Sequence, residues 1–200
     1  MNILLIKSNQ ALYASKGRLN DALFQVSCKI IGEQHTIQVT DTATGVWDVD
    51  DEIQKMKRAD AIVYHLPLWW FGLPHLLKKY FDEVLVYGKT YRIADVYGEG
   101  GQLTGKSFMI AVTTNVKKSD LGTVPMLERF RSVDDLLAPL ILTNYYVGIK
   151  NQLATFHADD VVRGDTSGVL KNYEAHLKSI DWSMQQWIRE GDNPSVPNPG

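Results

Sequence analysis

Three continuous apolar runs constrain this chain more than any other feature: "NILLI" at 2–6, "AIVYHL" at 61–66 and "SFMIAVTT" at 107–114. A strand with one wet face alternates apolar and polar residues. An unbroken run belongs to a strand covered on both sides, as in a parallel sheet between two layers of helices. Between these runs the period changes to helical. Leu19, Leu23, Val26 and Ile30 step by four, three and four before Gly32. "DVDDEIQKMKRAD" carries acids early and bases late around Ile53 and Met56. Leu73, Leu77, Tyr80, Phe81 and Val84 share a face, with Pro74 suited to the first turn.

Two weaker runs, "HTIQVTD" at 35–41 and "NQLATFHAD" at 151–159, complete five strands. A short helix is expected around Met126–Phe130. Ser132 or Asp134 caps another that runs to about Tyr146, with a kink at Pro139. Leu170, Tyr173, Leu177, Ile180, Met184 and Trp187 mark a last helix, capped by Thr166 or Ser167 and ended by Gly191. Residues 1–190 form one domain, and 191–200, "GDNPSVPNPG", form a flexible tail.

The alternation gives an open parallel α/β sheet, which binds ligands beyond the carboxyl ends of its strands, where strand order reverses. In the flavodoxin-like order that point lies between the first and third strands. Three loops converge there. "SKGRLND" offers the hydroxyl of Ser15, close backbone approach at Gly17 and the unpaired N–H groups of a helix start, a design for phosphate. "PLWWFG", Pro67 to Gly72, offers indole faces and freed backbone N–H groups to a planar ring. "TTNV", Thr113 to Val116, adds hydroxyls and an amide. Together they suit a phosphorylated, planar heteroaromatic cofactor, and a flavin nucleotide fits that description.

Other classes are disfavoured. A formal net charge of −2 leaves no footprint for nucleic acid or a membrane surface. The apolar stretch Ala61–Leu77 is interrupted by His65, Pro67, Gly72, Pro74 and His75, so no membrane insertion is expected. The one cysteine, Cys28, fits a helix interior and a reducing, cytoplasmic compartment. His65, His75, His157 and His176 show no metal-ligand spacing. His157 or a tyrosine is a candidate proton donor to a reduced acceptor, against a structural role; His176 is expected on the outer face of its helix.

Three stretches carry a specific likeness: "SKGRLND", "PLWWFGLPHLLKKYFDEV" and "YGEGGQLTGKSFMIAVTTN". On these the chain resembles the flavodoxin-like NAD(P)H dehydrogenase (quinone) family, nearest the bacterial modulator of drug activity B type. The resemblance implies a flavodoxin-like three-layer sandwich with strand order 2-1-3-4-5, a homodimer, and FAD at the dimer edge. It implies two-electron ping-pong transfer from NAD(P)H through FAD to a quinone or similar acceptor. By position, Ser15, Gly17, Leu19 and Asn20 hold the diphosphate. Pro67, Leu68, Trp69 and Trp70 line the isoalloxazine, facing Thr113, Thr114, Asn115 and Val116. Gly72 completes the loop, and Phe71 stands between pocket and dimer contact. Tyr97 approaches the flavin from its own or the partner subunit. The chain departs from many relatives in carrying Asn-Val where they have Gly-Gly after the fourth-strand threonines. Alternatives are an FMN-dependent azo- or nitroreductase and an ancillary regulatory oxidoreductase of a potassium efflux system.

Overall fold

A computed structural model describes residues 1–9 and 16–182. The continuous apolar runs become the three central strands: β1 (Asn2–Lys7), β3 (Ala61–Pro67) and β4 (Ser107–Thr113). With β2 (Thr36–Asp41) they form an all-parallel sheet in the order β2-β1-β3-β4, continued by β5 (Asn151–Gln152). The strand order reverses between β1 and β3, as expected.

Alternate side chains of each central strand go to opposite faces. Leu4, Ile6, Ile62, Tyr64, Leu66, Phe108, Ile110 and Val112 pack under α2 (Val49–Arg58), α3 (His75–Val84), α4 (Val133–Leu136) and α5 (Ala138–Tyr146). Ile3, Leu5, Ala61, Val63, Met109 and Ala111 pack under α1 (Arg18–Gly32) and α6 (Val169–Ser179). Both faces are covered, which is why these strands have no polar alternation.

The fifth strand differs from its expected form. It is two short pieces, β5 and β6 (Phe156–Ala158), both paired parallel to β4. Between them Asp134 accepts from Gln152 Nε2 at 3.1 Å and from Thr155 Oγ1 at 2.7 Å, so side chains there turn to a helix terminus and the ladder lapses. The helix expected over 132–146 is also divided. Ser132 and Asp135 form a capping box, and α4 stops at Leu137 because Pro139 has no N–H for the Asp135 carbonyl. The helix around 126–130 shortens to one 3₁₀ turn, Pro125–Leu127.

At the last helix Gly168, not Thr166 or Ser167, holds the N-cap position. The helix ends at Ser179 because Ile180 is extended, with ψ 124°, so the expected run toward Gly191 is not followed. Tyr173 and Leu177 are buried, whereas Leu170 faces out. His176 is half-buried rather than on an outer face, with Nε2 2.9 Å from Ala154 O. Met184, Trp187, Gly191, the boundary at 190 and the tail 191–200 lie outside the described residues. Among the described residues no helix is long and apolar enough to cross a membrane.

Candidate functional site

Four loops meet beyond the carboxyl ends of β1, β3, β4 and β6 and enclose a cleft of about 400 Å³. Gly17, Leu19 and Asn20 line it from the start of α1, Pro67, Leu68 and Trp69 from the exit of β3, and Thr113, Thr114 and Asn115 from the exit of β4. These are nine of the residues singled out in the sequence. Lys16, Arg18, Val161 and Val162 line it as well. The valines come from the loop after β6, which carried no sequence signal because apolar residues at a strand exit resemble surface scatter.

The first loop is built around Gly17. Its φ of 62° is left-handed, and a Cβ there would sit 1.7 Å from Asn9 Oδ1. Asn9 Nδ2 instead donates to Gly17 O at 2.9 Å. The first intrahelical bond of α1 runs from Asp21 N to Gly17 O, so the N–H groups of Arg18, Leu19 and Asn20 are left over at the positive end of the helix dipole. Three buried side-chain oxygens nearby, Ser8 Oγ, Asn9 Oδ1 and Asn20 Oδ1, have no hydrogen-bond partner among the described residues. Buried orphans of this kind are uncommon unless a ligand or water completes them. Ser15 lies outside the described residues.

Lys7 anchors the cradle from below, 2.9 Å from Asp21 and 3.2 Å from Asp41. Burial alone would lower its pKa, but the two carboxylates outweigh that and hold it above the ordinary lysine value. Behind the same strand exits His65 is fully buried. Its Nε2 lies 2.8 Å from Ser27 Oγ and 3.1 Å from Tyr173 OH, which ties β3 to α1 and α6. Burial pushes the His65 pKa down to about 3, so the ring stays neutral and structural. Cys28 is partly buried, and burial raises its pKa, which disfavours the nucleophilic thiolate.

The aromatic loop turns sharply. Trp69 and Gly72 exchange two backbone hydrogen bonds, at 3.1 and 2.9 Å, and Trp70 and Phe71 form the tip with φ of 51° and 60°. This corrects the expectation that freed N–H groups run through Gly72. Those of Trp69 and Gly72 are used in the turn, leaving Trp70 and Phe71 as donors. Trp69 lines the cleft, while Trp70 is 97% exposed and Phe71 43% exposed beside it. A core plug is excluded for Trp70.

The third loop divides its hydroxyls. Thr113 Oγ1 accepts from Asn20 Nδ2 at 2.6 Å, keeping its own proton to give. Thr114 Oγ1 donates to Val116 O at 2.9 Å and is engaged by His157 Nε2. Val116 adjoins the cleft without lining it. Tyr97 is not brought to the cleft at all. It is 90% exposed and packs 5.5 Å from Tyr146, in a separate tyrosine-rich groove with Tyr91 and Tyr145. Among the described residues no cluster of three or more His, Cys, Asp or Glu side chains could hold a metal ion.

A family model described as the flavodoxin-like fold matches residues 1–180. The NADPH:quinone oxidoreductase MdaB of Haemophilus influenzae is 32% identical over 192 residues, covering 90% of this chain and 99% of that protein. The NAD(P)H:quinone oxidoreductase of Methanothermobacter marburgensis superposes with a TM-score of 0.64 at 22% identity, over 89% of this chain and 96% of that one. An FMN-dependent NADH-azoreductase of Bacillus anthracis, in complex with FMN, gives 0.65 at 18% identity over the same shares. At these identities the two structures speak for the fold alone.

Proposed function

The chain belongs to the flavodoxin-like NAD(P)H dehydrogenase (quinone) family, and from that premise we propose that it is a flavin-dependent NAD(P)H:quinone oxidoreductase of the cytoplasm. The observation that carries the reading is the single cleft where a phosphate-suited helix start, an indole face and a polar strand exit converge. When bound, the flavin supplies the two-electron hydride chemistry, from NAD(P)H to a quinone in ping-pong order.

The residues present fit such a group. Gly17 keeps the cradle open where a Cβ would fill it, and orphaned polar atoms lie beside it. The free N–H groups of Arg18, Leu19 and Asn20, with Lys16 and Arg18, suit a phosphate or diphosphate. Trp69, which lines the cleft, carries an indole suited to stack on a planar ring. Thr113 gives a donor, and the unpaired N–H groups of Asn115, which lines the cleft, and of Trp70, Phe71 and Val116, which adjoin residues that line it, would stabilise negative charge on a reduced ring. Pro67, Leu68 and Trp69 would shield that side of a bound ring from water.

FAD is the proposed cofactor, on the resemblance over all three loops. FMN is the second reading, favoured by the azoreductase from Bacillus anthracis, whose complex with FMN shares the fold. The active unit is proposed to be a homodimer. Tyr97 does not line the cleft of its own chain and is exposed, so it is available to the cleft of a second copy. The deciding experiment is the absorbance spectrum of purified protein, with the released cofactor identified by mass. No flavin after reconstitution with FAD or FMN would overturn the reading, and a sedimenting monomer that turns over would remove the shared site.

A further inference from the structure

His157 does not line the cleft, yet a hydrogen-bond chain leads from it to the cleft wall. Thr114 Oγ1 donates to Val116 O, and a hydroxyl has one proton to give. The 2.8 Å contact between Thr114 Oγ1 and His157 Nε2 is a second hydrogen bond beside it when Nε2–H donates and the hydroxyl accepts. That is the tautomer the two contacts require together. The backbone of Thr114 is equally committed, its N–H to Ala158 O at 2.9 Å and its carbonyl to Val161 N at 3.1 Å. Thr114 is thus held through four bonds, and Val116 O is tied back across the turn. The N–H groups of Asn115 and Val116, inside that turn, have no acceptor among the described residues.

We propose that His157 is a positioning residue, holding the Thr114–Val116 turn through the Thr114 hydroxyl so that its free N–H groups are presented to the cleft ligand. The role rests on the flavin reading above. It also displaces the alternative of His157 as proton donor, because in this arrangement the Nε2 proton is given to Thr114 and the residue is buried. Burial pushes its pKa down to about 4, which keeps the ring neutral with one N–H.

The test compares His157→Phe, which keeps a ring and loses the donor, with His157→Gln, which returns an N–H near the Nε2 position. Flavin affinity is read by fluorescence quenching on titration with FAD and with FMN, alongside the visible band shape of bound flavin. His157→Phe should weaken binding about tenfold, the scale of one neutral hydrogen bond, and alter the band. His157→Gln should recover to within about threefold. Thr114→Val should match His157→Phe, and the double variant should be no weaker than either, since both break one chain. Unchanged affinity and band shape in His157→Phe, or no separation between Phe and Gln, overturns the role. Imidazole nitrogen shifts of flavin-free protein test the first link alone: Nε2–H supports it and Nδ1–H overturns it. If unmodified protein binds neither flavin, the flavin reading fails and the positioning role with it, while the ring shifts still decide the hydrogen bond.

Discussion

Replacing Gly17 by Ala tests the anion cradle at its most constrained point. Two costs add. An L-residue in the left-handed region costs roughly 1–2 kcal/mol relative to its preferred conformation, and Gly17 has φ 62°. The new Cβ would lie 1.7 Å from Asn9 Oδ1 and 2.4 Å from Nδ2, so the buried amide must leave and the Nδ2 to Gly17 O bond is lost, about 0.5–1.5 kcal/mol. Stiffening the unfolded chain returns about 0.4–1 kcal/mol. The net is about 2 kcal/mol, a fall in melting temperature of roughly 4–8 °C for a chain of this size. Gly105→Ala provides the control: φ is 71°, but nothing lies within 4 Å of the added Cβ, and the residue precedes β4 at the opposite end of the sheet. It should lose about half as much stability and keep its flavin affinity, whereas Gly17→Ala should weaken flavin binding by about tenfold or more. Melting by calorimetry and flavin titration on both variants decide the matter. Equal stability losses with equal flavin affinities would refute the cradle.

Three further outcomes follow from the geometry. Trp70→Gly removes a 97% exposed ring and relieves a left-handed φ, so thermal stability should hold or rise while flavin retention falls severalfold; a lower melting temperature measured by circular dichroism would mean the ring is buried in solution. Acid should destabilise the fold through His65, whose unfolded form takes a proton near pH 6.5 while the folded form resists until about pH 3. The share of stability due to this ring is then whole above pH 6.5 and falls by about 1.4 kcal/mol per pH unit below it, and His157, whose folded pKa is about 4, adds a like slope; both are read as a shifting urea midpoint, and a midpoint unchanged from pH 7 to 5 would contradict the buried neutral rings. Tyr80→Phe leaves the buried Glu52 carboxylate one donor short of its bonds to Tyr80 and Thr40, and should cost about 1–3 kcal/mol by urea unfolding; an unchanged midpoint would show that water replaces the phenol.

The central sheet and the place where its loops form a cleft were legible because both follow from patterns with one physical cause. A strand buried on two faces must be apolar throughout, so β1, β3 and β4 announce themselves, and the strand exits then fix where loops can meet. The failures lie where a partner distant in sequence decides. Asp134 draws Gln152 and Thr155 off the β4 ladder from 18 and 21 residues away, which no local pattern at 151–159 reveals. Val161 and Val162 reach the cleft only because Val161 N bonds the Thr114 carbonyl. Tyr97 was grouped with the flavin through likeness alone, and periodicity could not have told that its ring packs beside Tyr146. The hydroxyl polarity at Thr113 and Thr114 depends on partners far along the chain: two adjacent threonines look alike in sequence, but Asn20 leaves one free to donate, while the other is spent between Val116 O and His157 Nε2.

Backbone strain marks the same place independently of any pattern. Among the described residues three non-glycine residues have positive φ, Trp70, Phe71 and Asp160, and all sit in loops that bound the cleft. Such conformations cost on the order of 1–3 kcal/mol each and persist only where surrounding bonds over-determine them. Here they are over-determined. The paired Trp69–Gly72 bonds close the aromatic turn, while Gly164 N bonds Asp160 O at 2.6 Å and Lys117 lies 3.6 Å from the Asp160 carboxylate. Gly164 is required there, since a Cβ would come within 2.7 Å of the Asp160 carbonyl. A fold seeking stability alone would place Asn-Gly in a two-residue turn, not Trp-Phe. Two large aromatics held at left-handed positions project from the rim, open to a contact beyond this chain's own core. The strained rim and the unpartnered polar atoms of Ser8, Asn9 and Asn20 lie at the same strand exits and are two independent features of the candidate site.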